Sequence, residues 1–270
     1  MEWNQLSYEC TQIETCIETV ITSQNRNGII GRLPKRTSNE NEICLVDTQQ
    51  DKVFIFNKNF EYLRETSKTR PKTCIFFEDK LILTWKGRMS VLNSKDFKEE
   101  QHFLGSFQCL TRNEEVIYAT EEIKDDTKFV KIQRVDGIFQ KSYLQNFTLK
   151  NVKVRYMTVF QGKIFCTDMN KNTVIGLDLS SMQISKSSYN MKLPAGIVVN
   201  NESVICCDRL NHRIVVFTLD LQYKDVLYHS TNMLYPNALI NDGKSLLVAF
   251  QHTRGQDGPA DGCVVKLAWH

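Results

Sequence analysis

The sequence contains no run of about eighteen or more apolar residues, so no membrane-spanning helix is expected. Its first four residues, Met1 to Asn4, lack the basic and then apolar start of a secretion signal. We therefore expect a soluble, cytoplasmic chain. Strong charge is lacking too, because the net charge is only +3 over 270 residues. Such a balance permits a local basic patch but gives the whole molecule no strong field.

Paired cysteine motifs are also missing. The nine cysteines are an odd number and include no Cys-x-x-Cys. Several lie inside apolar runs: Cys44, Cys166, Cys206 and Cys207. This pattern predicts reduced, buried thiols. The five histidines are scattered and no zinc-ligand array is visible, so we expect neither a metal nor a cofactor.

What the sequence does contain is a repeat of about forty residues, the length of one four-stranded propeller blade. Six short apolar strands are followed by residues spaced 38, 35, 48, 40 and 42 apart: Asp47, Trp85, Thr120, Asp168, Asp208 and Phe250. A loop and a second, alternating strand come after each of them, and a more polar strand closes most units. The repeat therefore predicts a propeller.

The predicted fold is all-β: a six-bladed β-propeller of four-stranded antiparallel blades in residues 16–270, preceded by a lead-in at residues 1–15. The last unit ends at His270, directly after its third strand. Its fourth strand must come from elsewhere in the chain. The β-branched, alternating segment 17–22 is expected to pair with residues 264–269 and close the ring as an N-terminal strand.

The clearest unit runs from Leu193 to Phe217. It has a Pro-x-Gly entry, an apolar strand that ends in Asp208, an Asn-His-Arg sequence and a second strand that ends in Phe217. This unit resembles the NHL repeat, and residues 42–56 and 163–177 match the same pattern in part. The resemblance implies the C-terminal recognition domain of TRIM-NHL proteins, which are ubiquitin ligases and RNA regulators. Ligase activity would then belong to a RING domain that this chain does not contain.

The charged residues of the motif have a structural interpretation. An Asp after a strand can accept backbone N–H bonds in the turn, and a basic residue five positions later can reach back to it. We expect this scaffold role for Asp47, Lys52, Asp168, Asp208, His212 and Arg213.

A partner is expected on the face that carries the turns between second and third strands, because propellers bind across one face and its channel. The candidates there combine cations with aromatic rings: Arg70, Lys72, Trp85, Lys86, Arg88, Lys153, Arg155, Tyr156, Arg209, Tyr235, Asn237, His252 and Arg254. The mixture suits RNA and suits a protein partner equally well. Acidic residues near 121–126 and the small net charge favour a protein, with RNA as the alternative. The Gly-rich segment 254–262 is a further candidate contact loop.

A third hypothesis is a metal-dependent lactonase or lyase that holds a cation in the channel. Asn237, Asp168 and Asp208 are the residues that could serve it. No nucleophile with an adjacent base can be singled out in the sequence. We therefore expect a recognition module, not an enzyme.

Overall fold

The computed structural model describes residues 8–9, 29–31, 42–47, 51–57, 61–229, 235–241, 245–251 and 262–268. These residues form six four-stranded antiparallel sheets, which we call blades 1 to 6 in chain order. The predicted all-β propeller of four-stranded antiparallel blades is confirmed in class and in strand number per blade. In blades 1 to 5 the strands run outward in chain order from an inner strand.

The first strand, β1, is Tyr8–Glu9, and the first three blades follow it. Blade 1 comprises β2 (Ile29–Gly31), β3 (Glu42–Asp47), β4 (Lys52–Asn57) and β5 (Tyr62–Ser67). Blade 2 comprises β6 (Thr73–Phe77), β7 (Lys80–Trp85), β8 (Arg88–Asn93) and β9 (Glu99–Leu104). Blade 3 comprises β10 (Phe107–Arg112), β11 (Val116–Ile123), β12 (Asp126–Val135) and β13 (Ile138–Leu149).

Blades 4 to 6 repeat this order. Blade 4 comprises β14 (Val154–Phe160), β15 (Lys163–Asp168), β16 (Thr173–Asp178) and β17 (Ile184–Lys186). Blade 5 comprises β18 (Pro194–Asn200), β19 (Ser203–Asp208), β20 (Arg213–Thr218) and β21 (Tyr223–His229), and blade 6 contains β22 (Tyr235–Asn241), β23 (Ser245–Gln251) and β24 (Gly262–Ala268). Helix in the described ranges is limited to one 3-10 turn, Arg209–Asn211, and no helix there is long and apolar enough to cross a membrane.

The inner strands surround a central axis. Each contacts the inner strand of the next blade, from β2 through to β22, and β22 contacts β2. The middle strands of a blade, such as β7 and β8, are almost wholly buried because both faces pack on neighbouring blades. Outer strands such as β17 are exposed. The apolar runs in the sequence therefore mark the middle of each blade.

The outermost strand of blade 6 comes from the beginning of the chain. Tyr8 and Glu9 pair with Leu267 and Lys266 of β24. The predicted partner of this edge, segment 17–22, lies outside the described residues, and the positions opposite Leu267 and Lys266 belong to β1. A two-residue strand such as β1 has too little periodicity to be recognised from sequence.

Four inner strands contain a β-bulge at equivalent heights. The residues involved are Gln108 and Cys109 in β10, Arg155 and Tyr156 in β14, Ala195 and Gly196 in β18, and Asn237 in β22. A bulge adds one residue to a strand and redirects its side chains. All four lie towards the face where the inner strands begin and where second strands turn into third strands. We call this the upper face and the opposite one the lower face.

The cysteines correct one prediction. Cys44 in β3 and Cys74 in β6 form a disulfide, so Cys44 is not a reduced thiol. These strands pack together where blades 1 and 2 meet, which brings two residues 30 positions apart into contact. Their spacing in the sequence carries no sign of this pairing. Cys166, Cys206 and Cys207 are free and buried, as predicted.

Candidate docking face and central channel

The predicted contact residues fall into three groups on the upper face. Arg70, Trp85, Lys86 and Arg88 lie at the rim of blade 2, and Lys72, Arg155, Tyr156 and Asn237 lie at the mouth of the central channel. Arg209 and Tyr235 lie between blades 5 and 6, and Lys153 precedes blade 4. His252, Arg254 and the Gly-rich loop lie outside the described residues, as does the side chain of Asp47.

A cavity of about 650 Å³ occupies the channel and is lined by the inner strands of blades 2 to 6. Strand register places one lining residue from each of these blades at mid-height: Ile75, Thr111, Thr158, Val198 and Leu239. Among the described lining residues the charged ones are Arg155, Arg112 and Glu114. The channel is thus polar on one side and carries more positive than negative charge.

Lys72 links blade 2 to blade 3 at the upper mouth. Its Nζ donates to the carbonyl oxygen of Phe107 at 3.2 Å and to Oε1 of Gln108 at 3.1 Å. Gln108 in turn donates from Nε2 to Oε2 of Glu122 at 2.7 Å. Burial lowers the pKa of Lys72, Glu122 opposes this effect and the positive charge of Arg155 adds to it. Lys72 and Arg155 are therefore neighbouring like charges.

Tyr156 spans the mouth above blade 5. Its hydroxyl bonds Oδ1 of Asn237 at 3.3 Å, although the two residues belong to blades 4 and 6. Burial raises the pKa of Tyr156 to about 12. Tyr235 is also covered, because the ring of His212 lies 4.5 Å from its ring and the guanidinium of Arg209 lies 5.9 Å from it. These two tyrosines are already used in holding the face together.

Trp85 is covered in a similar way at the rim of blade 2. The guanidinium of Arg88 lies 4.6 Å from the ring and the ammonium of Lys68 lies 5.6 Å from it. Its Nε1 donates to Oγ of Ser90 at 2.8 Å. Cation–π contacts of this kind stabilise the rim and leave little of the ring for a partner.

Exposed cations concentrate on the upper face of blades 4 and 5, in the segments before their inner strands, at the start of β14 and in the turn between β15 and β16. Five of them form no ion pair with any residue that the structure describes, and we call them the cationic sector: Lys150, Lys153, Arg155, Lys171 and Lys192. Two carboxylates at the second-to-third-strand turns of blades 4 and 5, Asp168 and Asp208, are 0% exposed. Sequence reasoning identified only Lys153 and Arg155. The other three could have been found from their positions in the repeat. Lys150 and Lys192 precede an inner strand, and Lys171 lies in the turn between a second and a third strand.

The lower face has the opposite character. Its turns display exposed carboxylates at Glu78, Asp79, Glu114, Glu115, Asp136, Glu202 and Asp220. Among the described residues, the two faces therefore differ in the sign of their predominant exposed charge, which a sum over the sequence cannot reveal.

Asp208 organises the turn of blade 5. Its Oδ1 accepts the backbone N–H of Lys192 at 2.7 Å, and its Oδ2 accepts Nε of Arg213 at 2.7 Å and Nδ2 of Asn211 at 2.9 Å. These bonds satisfy a carboxylate that is fully buried.

The same position in blade 4 is incomplete. Oδ1 of Asp168 accepts the backbone N–H groups of Asn170 and Lys171 at 3.0 and 3.2 Å. Thr173 occupies the place that Arg213 has in blade 5. As a result, Oδ2 of Asp168 is buried with no hydrogen-bond partner among the described residues.

Blade 3 has an acid at this position that the spacing of the repeat did not identify. Register pairs Glu121 with Phe107, as Asp208 pairs with Pro194. Oε2 of Glu121 accepts Nζ of Lys141 at 2.9 Å and the hydroxyl of Tyr143 at 2.8 Å. Thr120, chosen from the sequence spacing, is one residue off.

Across the described ranges, no group of three or more His, Cys, Asp or Glu side chains is arranged to hold a metal ion. The three residues considered for a lactonase or lyase site each form hydrogen bonds with neighbouring protein groups. Asp168 and Asp208 bind the turns of their own blades, and Asn237 accepts the hydroxyl of Tyr156.

The sequence matches no known protein family and no curated protein. Many solved structures are similar to the fold. A luciferin-regenerating enzyme matches with a TM-score of 0.66 and 9% identity over 94% of each chain. Hydrazine synthase from Kuenenia stuttgartiensis has a TM-score of 0.64 and 10% identity, covering 88% of this chain and 82% of that one. Virginiamycin B lyase from Staphylococcus aureus has a TM-score of 0.61 and 13% identity, covering 93% and 97%. At these identities the likeness establishes the propeller fold alone.

Proposed function

We propose that this propeller is a non-enzymatic recognition module whose upper face docks a protein partner through an acidic segment. The observation that carries the proposal is the cationic sector, five exposed cations that form no ion pair within the described residues. Charge of one sign on one side of a protein attracts and orients a partner of opposite charge. The acidic lower face would keep such a partner from binding on the wrong side.

Catalysis is less well supported by the groups present. Burial raises the pKa of the Cys109 thiol to about 12 and raises that of the Cys166 and Cys207 thiols as well. Such thiols are poor nucleophiles. Lyases and a luciferin-regenerating enzyme do share this fold, so a metal-dependent lactonase or lyase is the competing proposal. Turnover of lactone substrates that stops on chelation would favour it.

RNA binding in post-transcriptional regulation is the second candidate, because the cationic sector would attract phosphates equally well. The rings that would stack on bases weigh against it. Trp85, Tyr156 and Tyr235 are each half-buried and engaged by neighbouring side chains. Single-stranded RNA binding usually relies on such rings being available.

We also propose a finer classification: a degenerate NHL-type propeller that forms a closed six-bladed ring, in which the N-terminal strand completes the last blade. The Asp208–Arg213 turn and the β1–β24 pairing support it. It would recruit substrates for a TRIM-NHL-type ubiquitin ligase or regulator in the cytoplasm. The free buried thiols support that location, whereas the Cys44–Cys74 disulfide counts against it.

A titration with random single-stranded and hairpin RNAs, at about 50 and then 200 mM salt, separates the two binding proposals. We expect no submicromolar RNA binding at either salt. Tight binding that collapses at the higher salt, and is lost when Lys171 and Lys192 are both changed to Glu, would replace the protein partner with RNA.

A further inference from the structure

The wall of the central channel differs from one side to the other. At mid-height, the lining residues of blades 3 and 4 are Thr111 and Thr158, which carry hydroxyl groups. At the same height blades 2, 5 and 6 contribute only aliphatic side chains: Ile75, Val198 and Leu239. A cavity with one hydrogen-bonding wall and one apolar wall suits a small organic molecule better than water alone.

The two ends of the channel also differ in charge. At the lower end Arg112 donates to the carbonyl oxygen of Asn113 and lies over the ring of Phe77, while Glu114 provides a negative charge nearby. At the upper end Arg155 lines the cavity and is exposed, and it forms no ion pair within the described part of the chain. The positive charge is therefore least compensated at the upper mouth.

Lys72 adds to this positive charge. Its Nζ is held by two neutral oxygens, those of Phe107 and Gln108, and not by a carboxylate. Glu122 acts on its charge as an anion and Arg155 acts on it as a second cation. Glu122 offsets part of the repulsion between the two cations, and a bound anion would offset more of it. Arg155 is one of the two residues of the β-bulge in β14, near the upper end of that strand.

We propose that the channel binds a small organic anion whose oxyanion group, a carboxylate or a phosphate, lies at Arg155 and Lys72 while its uncharged part enters the bore. The volume of about 650 Å³ lies within the range of about 300–1,000 Å³ that is usual for such sites. This site lies beyond the docking function and does not depend on it.

Fluorescence titration with 8-anilinonaphthalene-1-sulfonate tests the proposal, because this probe joins an anionic group to an apolar body. The wild-type protein should show saturable binding. Arg155→Glu should weaken it by about tenfold or more, since a charge-assisted contact is replaced by repulsion. Arg155→Lys should retain it within about threefold, and the control Lys171→Glu, on the same face but outside the cavity lining, within about twofold.

Competition identifies the source of the oxyanion. Displacement of the probe by benzoate indicates a carboxylate ligand, and displacement by phenyl phosphate indicates a phosphate ester.

A second variant, Val198→Phe, narrows the channel without changing its charge and should also abolish binding of the probe. Thermal unfolding is recorded to verify that the variant folds. The proposal is overturned if the wild type shows no saturable binding, or if Arg155→Glu and Lys171→Glu weaken it equally. Docking is tested separately by Lys171 and Lys192, so either proposal can fail alone.

Discussion

Gly196 shows how a single residue sets the distance between two blades. A Cβ atom at this position would lie 2.7 Å from the Cα of Ala238 and 2.7 Å from the backbone nitrogen of Leu239. Both atoms belong to the inner strand of blade 6, and backbone cannot move aside as a side-chain end can. The glycine in the Pro-x-Gly entry therefore permits blades 5 and 6 to pack closely beside the channel.

Gly196→Ala should lower the free energy of unfolding by about 1–3 kcal/mol, because one methyl group is forced into a close-packed contact. Urea denaturation measures the change. Gly176→Ala is the control, since the nearest atom there is Oγ of Ser185 at 2.6 Å, a side-chain end that can rotate. Equal losses in the two variants would show that the close approach of the blades is not the cause.

Buried thiols and a buried phenol should make the folded state less stable at alkaline pH. Burial raises the pKa of Cys109 and of Tyr156 to about 12, and the pKa of Cys166 and Cys206 is raised as well. In the unfolded chain a thiol ionises near pH 8.5. The folded state holds its protons more tightly, so its stability is complete below about pH 8.5 and is lost as pH rises towards 12.

The unfolding free energy should therefore fall between about pH 8.5 and 11, as measured by urea denaturation in a pH series. Cys109→Ser removes one ionising group and should make that slope shallower by at most about 1.4 kcal/mol per pH unit. The slopes of unfolding free energy against pH are compared, and not the absolute free energies, because the substitution itself also changes stability by an amount that does not depend on pH. An unchanged slope in Cys109→Ser would contradict the assignment to this thiol.

Among the structural elements, the turn after the second strand shows the clearest difference between blades. In blade 5 the buried Asp208 is satisfied by Arg213 and Asn211. In blade 4, where Thr173 replaces the arginine, Oδ2 of Asp168 is buried and has no hydrogen-bond partner among the described residues. An unsatisfied buried acceptor costs stability, so blade 4 has a defect that a single substitution can repair.

Thr173→Arg should raise the free energy of unfolding by about 1 kcal/mol, because a guanidinium can then donate to Oδ2 of Asp168. The reverse change, Arg213→Thr in blade 5, should lower it by about 1–3 kcal/mol. Thermal and urea unfolding of both variants provide the comparison. Destabilisation by both substitutions would mean that the blade 4 turn has no room for the arginine.

The strands could be predicted from sequence because apolar runs of four residues at a spacing of about forty are a strong local signal. The bulges could not, since the extra residue in β10 or β14 looks like any other strand residue. Blade 3 shows a separate difficulty. Its apolar run begins at Val116, one register position earlier than the run that begins at Val204 in blade 5, so Glu121 and not Thr120 takes the acidic position. The β1 pairing and the Cys44–Cys74 disulfide were missed because both depend on contacts between distant segments.

At the scale of the whole molecule, charge is separated between the two faces. The cationic sector lies on the upper face, and exposed carboxylates such as Glu114 and Glu202 lie in the turns of the lower face. The predicted contact residues that the structure describes share the upper face, but the rings of Trp85, Tyr156 and Tyr235 are engaged by neighbouring side chains. Under the docking proposal, lysines that the sequence did not single out, Lys171 and Lys192 among them, are the groups that would contact a partner.

The most direct test of this account is affinity capture with charge-reversed forms of the whole chain, followed by quantitative proteomics of the bound proteins. One form carries Lys171→Glu and Lys192→Glu in the cationic sector. Its matched control carries Lys95→Glu and Lys98→Glu, two exposed lysines in a lower-face turn. The account predicts a partner with an acidic segment that is retained by the wild type and the control and lost from the upper-face variant. Identical protein profiles from all three forms would contradict it.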